Sequence, residues 1–140
     1  MKNLIYIIFC LLIADCNTSY KQKISSDSCN PTYDTITNTQ VYTFVEEAPL
    51  YPGGTGSLIK FFEENFKYHK EGVSNGLFMM EFVIDNTGAL IGQRIRNKSK
   101  DQLNLMETEA LRVLQVMPKW RPGKCKGKAV NVLFYLPLNL

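Results

Sequence analysis

Residues 77–88 read Leu77-Phe78-Met79-Met80-Glu81-Phe82-Val83-Ile84-Asp85-Asn86-Thr87-Gly88. The first eight are rich in apolar and β-branched side chains, and successive side chains of a strand alternate between faces. Phe78, Met80, Phe82 and Ile84 therefore share one face, and Leu77, Met79, Glu81 and Val83 share the other. The last four are a turn. Aspartate and asparagine bond to the backbone just ahead of them, and Gly88 can take positive φ without steric cost. Residues 89–96 then return as the second strand of a hairpin.

Downstream, residues 97–102 form a polar connector. Residues 103–116 form a helix with Met106, Ala110, Val113, Leu114 and Met117 as its apolar stripe. Pro118 stops it, because proline excludes helical geometry at the residue before it. Trp120-Arg121-Pro122-Gly123 is a bend, and a tryptophan placed there plugs a core. Residues 129–136 form a third strand, ended by Pro137. Upstream, Leu58, Phe62 and Phe66 recur four apart, so a helix runs from Thr55 or Ser57 to Phe66. Pro49 and Pro52-Gly53-Gly54 break the chain before it, residues 67–75 are a polar loop after it, and residues 41–45 are a short strand. The order helix, strand, strand, helix, strand implies an α+β fold in two layers, a β-hairpin plus a third strand packed on two helices. The third strand lies parallel to the second or antiparallel to the first.

Working outward to the N-terminus, Met1-Lys2-Asn3 is short and basic, and residues 4–14 are an unbroken apolar run of eleven. That is the order of a secretory signal, assigned to residues 1–16. Cys16 resembles the cysteine of a bacterial lipoprotein cleavage site, which becomes the lipidated first residue of the mature chain. Ordinary cleavage near residues 14–16 and an uncleaved short anchor stay open as alternatives. All three place residues 17–140 outside the cytoplasm; the location expected is the periplasm, tethered to a membrane, with a soluble secreted form if cleavage is ordinary. Residues 17–40 are polar and poor in apolar side chains, which reads as a flexible tether. Its end-to-end distance would be about 25–30 Å. The domain proper is then 41–140.

The chain has 140 residues, 45% hydrophobic and 21% charged, which suits one folded domain and excludes wholesale disorder. No apolar run reaches the roughly 20 residues of a spanning helix. The four cysteines make no CxxC pair and His69 is the single histidine, which argues against a metal site or histidine-based catalysis. No nucleophile–base pair or cofactor motif is present, so an enzyme is not expected. Gly53, Gly54 and Gly56 fit neither GxGxxG nor a P-loop. An oxidising compartment would permit a Cys29–Cys125 bridge, but sequence alone does not show that the two backbones meet; two free thiols are the alternative. Charge is uneven. Residues 17–93 carry five basic and nine acidic groups, and residues 94–140 carry ten and three. Lys119, Arg121, Lys124, Lys126 and Lys128 cluster before the third strand, without the interleaved aromatics of a nucleic-acid binder.

From Ala48 onward the chain resembles the TonB C-terminal domain family in its Bacteroidetes-type form. The residues that carry this are Pro49-Leu50-Tyr51-Pro52-Gly53-Gly54, Gly76 with the strand and Asp-x-x-Gly turn after it, and Glu109-Ala110-Leu111-Arg112-Val113. Met117-Pro118-Lys119-Trp120-Arg121-Pro122-Gly123, Gly127-Lys128-Ala129-Val130 and Leu136-Pro137-Leu138 complete the set. His69 stands where the family usually has proline. The resemblance implies a module that binds a segment of an outer-membrane transporter or receptor by adding it to a sheet edge. From the residues themselves, neither a cofactor nor a nucleic-acid partner is expected. The spanning segment and proline-rich spacer of a full energy transducer are not expected here, since residues 17–40 hold one proline, Pro31. The expected edge is the third strand, with Val130, Val132, Phe134 and Leu136 facing the second helix. Asn131, Leu133 and Tyr135 would face outward beside the partner. The edge could instead be capped by residues 41–45, leaving an accessory lipoprotein of a membrane complex, or pair with itself in a homodimer.

Overall fold

The computed structural model describes residues 29–68 and 76–139. They form a mixed α+β domain with a five-stranded sheet and two helices. In chain order these are β1 (Pro31–Asp34), β2 (Thr39–Tyr42), α1 (Gly54–Asn65), β3 (Leu77–Ile84) and β4 (Leu90–Ile95). A short 3₁₀ turn (Lys100–Gln102) leads into α2 (Leu105–Gln115), followed by β5 (Lys124–Cys125), β6 (Lys128–Ala129) and β7 (Val132–Asn139). The sheet order is β1-β2-β7-β3-β4, and β5-β6 stand apart as a small hairpin.

The β3–β4 hairpin forms as its sequence implies. Asp85 Oδ1 accepts from the Thr87 N–H at 2.7 Å, the Thr87 hydroxyl at 2.7 Å and the Ala89 N–H at 3.0 Å. Burial pushes the Asp85 carboxyl up, but those bonds and nearby Lys119 outweigh it and hold it below the usual aspartate value. Gly88 is required twice over. Its φ is +86°, and a Cβ there would lie 1.9 Å from the Trp120 carbonyl oxygen. That close approach lets the Trp120 N–H donate to the Gly88 carbonyl at 2.8 Å, tying the turn to the bend after α2.

α2 starts at a capping box. The Glu107 N–H donates to Asn104 Oδ1 at 2.8 Å, and the Asn104 N–H donates to Glu107 Oε2 at 3.0 Å. Buried Glu107 also meets the Lys98 ammonium at 2.6 Å. The helix therefore begins at Leu105 rather than at Leu103. Met106, Ala110, Val113 and Leu114 are buried on it. The C-terminus of α1 is fastened to α2. Arg112 donates to the Asn65 carbonyl at 2.6 Å and to both carboxylate oxygens of Glu109, which accepts from the Lys67 N–H at 2.9 Å. A guanidinium at a helix C-terminus satisfies orphan carbonyls and opposes the negative dipole end.

Between the helices and the sheet lies a core of Tyr51, Leu58, Met80, Phe82, Ile84, Ile95, Ala110, Leu114 and Trp120. Trp120 is its centre, edge-on to Tyr51 at 5.5 Å and to Phe134 at 5.2 Å. Such pairs add about 0.5–1.5 kcal/mol beyond area burial.

Three expectations need correction. Residues 29–40 are not tether. Cys29 is bonded to Cys125, and β1 and β2 pair from Pro31–Tyr42 to Asp34–Thr39. The polar composition misleads because this segment is held by a covalent bond and by ions rather than by apolar bulk. Asp34 Oδ1 accepts from Arg94 at 2.8 Å, and Arg94 also binds Glu81. Asp34 Oδ2 accepts from the Thr37 N–H at 2.9 Å and its hydroxyl at 2.6 Å. Residues 1–28, with the signal, Cys16 and the rest of the expected tether, lie outside the described residues, as does His69. Second, the strand expected at residues 41–45 is β2, which ends at Tyr42 and leaves Phe44 70% exposed. Third, the closing strand is Val132–Asn139, not residues 129–136. Lys126 and Gly127 both have positive φ, which makes a tight hairpin turn and puts Ala129 in β6.

The β1–β2 hairpin extends the sheet beyond β7 and also folds back over its second face. Its loop reaches β4, where a Cβ on Gly92 would lie 2.4 Å from Thr37 Cγ2. Gly92, at φ +63°, sits where the β3–β4 register slips between Glu81 and Val83, a bulge only a residue free of Cβ strain accommodates here. Val41 and Val83 have no exposed surface.

Candidate strand-binding edge

β7 pairs antiparallel with β3 along its whole length, from Ile84–Val132 to Leu77–Asn139. Its other side is divided. The Tyr42 N–H donates to the Asn131 carbonyl at 2.9 Å, and Tyr42–Val132 is the one parallel bridge between β2 and β7. After Tyr42 the chain leaves the sheet for β5, where the Glu46 and Glu47 N–H groups both donate to the Lys124 carbonyl at 3.1 Å. Among the described residues no strand pairs with this side of β7 beyond Leu133.

Alternation fixes which groups are left unpaired. Main-chain groups of successive strand residues point to opposite sides. Asn131 points its carbonyl at β2, so residues 133, 135, 137 and 139 direct theirs to that same side. Tyr135 and Asn139 then offer both N–H and C=O at the open edge. Pro137 offers only C=O. This explains why Pro137 lies inside the strand rather than ending it: its missing N–H belongs to the ladder that is not made.

Side chains follow the expected two faces. Phe134, Leu136 and Leu138 pack on the core, while Tyr135, Pro137 and Asn139 are exposed. The Arg96 guanidinium lies 5.3 Å over the Tyr135 ring. On the core side, α1 does not close against the edge. A groove of about 250 Å³ runs between them, lined by Thr55, Leu58, Ile59, Phe62, Met80 and Leu136, among others. Ile59 is 55% exposed. A second hollow continues past Phe66 and Tyr68 to Leu138 and Asn139. A strand laid along residues 135–139 would place every second side chain in this groove.

The residues expected at the edge lie apart. Tyr135 lies where the free side begins, while Phe134 turns its main chain to β3 and packs its ring on the core. The Val130 N–H donates to the Gly123 carbonyl at 3.0 Å. Asn131 accepts from the Asn86 N–H at 3.0 Å and donates to the Gln40 carbonyl at 3.2 Å, clamping two turns together. Val132 is buried and bridged to Tyr42, and Leu133 borders that bridge. Sequence reasoning missed Pro137, Leu138, Asn139 and the α1 wall. The available signal was Ile59, an apolar side chain off the Leu58–Phe62–Phe66 stripe.

Burial raises the Asp34 carboxyl, but the Thr37 hydroxyl and N–H and the Arg94 guanidinium bring it below its usual 3.8. The hairpin that caps one end of β7 is thus anchored by a carboxylate kept ionised. Among the described residues there is no group of three or more His, Cys, Asp or Glu placed to hold a metal, and no helix long and apolar enough to cross a membrane. No protein-family model matches the chain, and no curated protein or solved structure does.

Proposed function

We propose that this protein is an exported, TonB C-terminal-like strand-binding module. It takes up an extended segment of an outer-membrane transporter or receptor along the free edge of β7. The carrying observation is the junction of an unpaired edge over residues 135–139 with the apolar α1 groove. An edge strand supplies main-chain bonds to any sequence, and a neighbouring pocket selects side chains. The Cys29–Cys125 bond supports an oxidising compartment such as the periplasm, in line with the signal read in residues 1–16. The ordered motifs from Pro49 to Leu138 support the TonB-like architecture.

The test is NMR titration of the chain with peptides from outer-membrane transporters. Shifts at residues 134–139 and at Ile59 and Phe62, with micromolar affinity, are expected. Ile59→Ser should weaken binding about fivefold to tenfold, the value of roughly 1 kcal/mol of lost apolar contact. Saturable binding elsewhere on the surface would refute the edge reading. A second reading is an accessory lipoprotein whose edge is filled, and the β2–β7 bridge favours it. It requires Tyr135 and Asn139 amides already protected from exchange in the free protein. Protection that appears only at high protein concentration would mean a homodimer across the edge.

A further inference from the structure

We propose that the β5–β6 hairpin is the membrane-proximal end of the domain and docks on anionic phospholipid. The inference rests on the leader reading, not on strand addition. The disulfide carries it. Cys125 is in β5, so Cys29, the first described residue, is covalently fixed to the middle of the basic hairpin. Whatever residues 1–16 are attached to, the described domain begins at this point. Covalent geometry limits the distance: the thirteen steps from Cys16 to Cys29 span at most about 45 Å when fully extended.

What surrounds that point is positive. Lys126 and Lys128 are exposed at the hairpin, and Lys119 and Arg121 are exposed on the segment leading to it. Lys124 meets Glu47 at 3.1 Å, and Glu46 accepts from the Lys126 N–H at 2.7 Å, leaving the Lys126 ammonium to solvent. Against these five cations stand Glu46, Glu47 and, beside Lys119, Asp85, which leaves an excess of two positive charges around the tether root. Juxtamembrane lysines are each drawn to an anionic surface, roughly fivefold in partitioning per charge. The turn Lys126-Gly127 is tight, and among the described residues a Cβ on Gly127 would meet nothing within 4 Å.

The orientation has a consequence for the edge. β7 starts beside β6 and runs eight residues to Asn139. At about 3.3 Å per residue its far end lies roughly 25 Å away from the hairpin. Docking by the hairpin would therefore hold the free half of β7 off the bilayer.

The experiment is amine footprinting of the full chain reconstituted in phosphatidylcholine vesicles, with and without phosphatidylglycerol. Lys126 and Lys128 should lose reactivity several-fold only with the anionic lipid, and regain it as salt is raised. Lys60, on α1 near the far end, should not change. In K126Q/K128Q, Lys119 should lose most of its protection while the fold is kept, as judged by an unchanged Lys60 and thermal transition. Equal reactivity in both vesicles, or protection spread evenly to Lys60, would overturn the proposal. So would protection that appears only on adding an acidic protein. A chain that joins neither vesicle would sink the leader reading together with this orientation.

Discussion

The two halves of β7 are one strand with two fates. Val132 and Leu133 lie beneath a hairpin, while among the described residues no strand pairs with 135–139 on the same side. Both halves pair with β3 in one unbroken register. The difference therefore does not lie in the strand. The covered half has a neighbour that is polar and short, too poor in apolar surface to stay by packing alone. It stays because a disulfide and an ion cluster hold it. The bare half has a proline, which blunts self-pairing, and a groove left open by α1. Coverage of an edge can thus be set by fasteners remote from the edge itself.

Removing the covalent fastener should have the largest effect. The pair Cys29→Ser, Cys125→Ser should lower unfolding free energy by about 4 kcal/mol, because the bond closes a loop of 96 residues. Denaturant unfolding measures this. In the same variant, exchange of the Tyr42 amide should accelerate toward that of Tyr135, erasing the contrast between the halves. A Tyr42 amide as slow as before would mean that the ions alone hold the hairpin.

The ionic fastener comes next. Arg94→Met leaves Asp34 without its cation and Glu81 with Arg96 alone, at 3.8 Å, on side chains 8% and 12% exposed. Breaking a buried pair by removing one partner costs about 3 kcal/mol or more. The loss should fall on β1–β2, with the β3–β7 amides staying slow. If β3–β7 protection falls equally, the hairpin is not a separate unit and the comparison of halves is wrong.

Acid should act in the same direction. Asp34 has its folded value below the unfolded one, so its contribution to stability is complete above about pH 4, the unfolded range. It declines as pH falls through the lower folded value. Asp85 is shifted the same way, so the β3–β4 turn should loosen in the same window. Amide exchange followed from pH 5 to pH 2 should show Thr37 and Thr87 released ahead of the core at Met80 and Phe82. A hairpin indifferent to pH would remove Asp34 from the account.

These fasteners also explain what was legible. Strand β3, the turn at residues 85–88, helix α1 and the α2 stripe follow from local periodicity and turn chemistry, and the structure has them. The apolar pattern puts the start of α2 at Leu103, two residues early, and misses the Asn104–Glu107 capping box. The β1–β2 hairpin was not readable. Its stabilisers, Cys29 with Cys125 and Asp34 with Arg94, are pairs 96 and 60 residues apart, and no local pattern reports them. The shift of the candidate edge from residues 130–135 to 134–139 has the same origin. Proline looks like a strand end in sequence, and only the position of β2 shows that its missing donor faces an empty lane.

Pro137→Val is the finest probe of that lane. The new N–H would point to the unpaired side, because residue 137 shares the parity of Asn131. The β3 ladder should not notice, so thermal stability should move by less than about 0.5 kcal/mol. Any strand entering the lane would gain one main-chain bond, worth about 1 kcal/mol and so about fivefold in affinity. Peptide titration and sedimentation velocity would report it, the first as tighter binding and the second as self-association at lower concentration. A loss of stability well above 1 kcal/mol would show that residue 137 faces β3, and the parity argument for the whole edge would fall with it. Unchanged stability with neither tighter binding nor association would leave the lane open in geometry but closed to strands, which favours the covered-edge reading over uptake of a transporter segment.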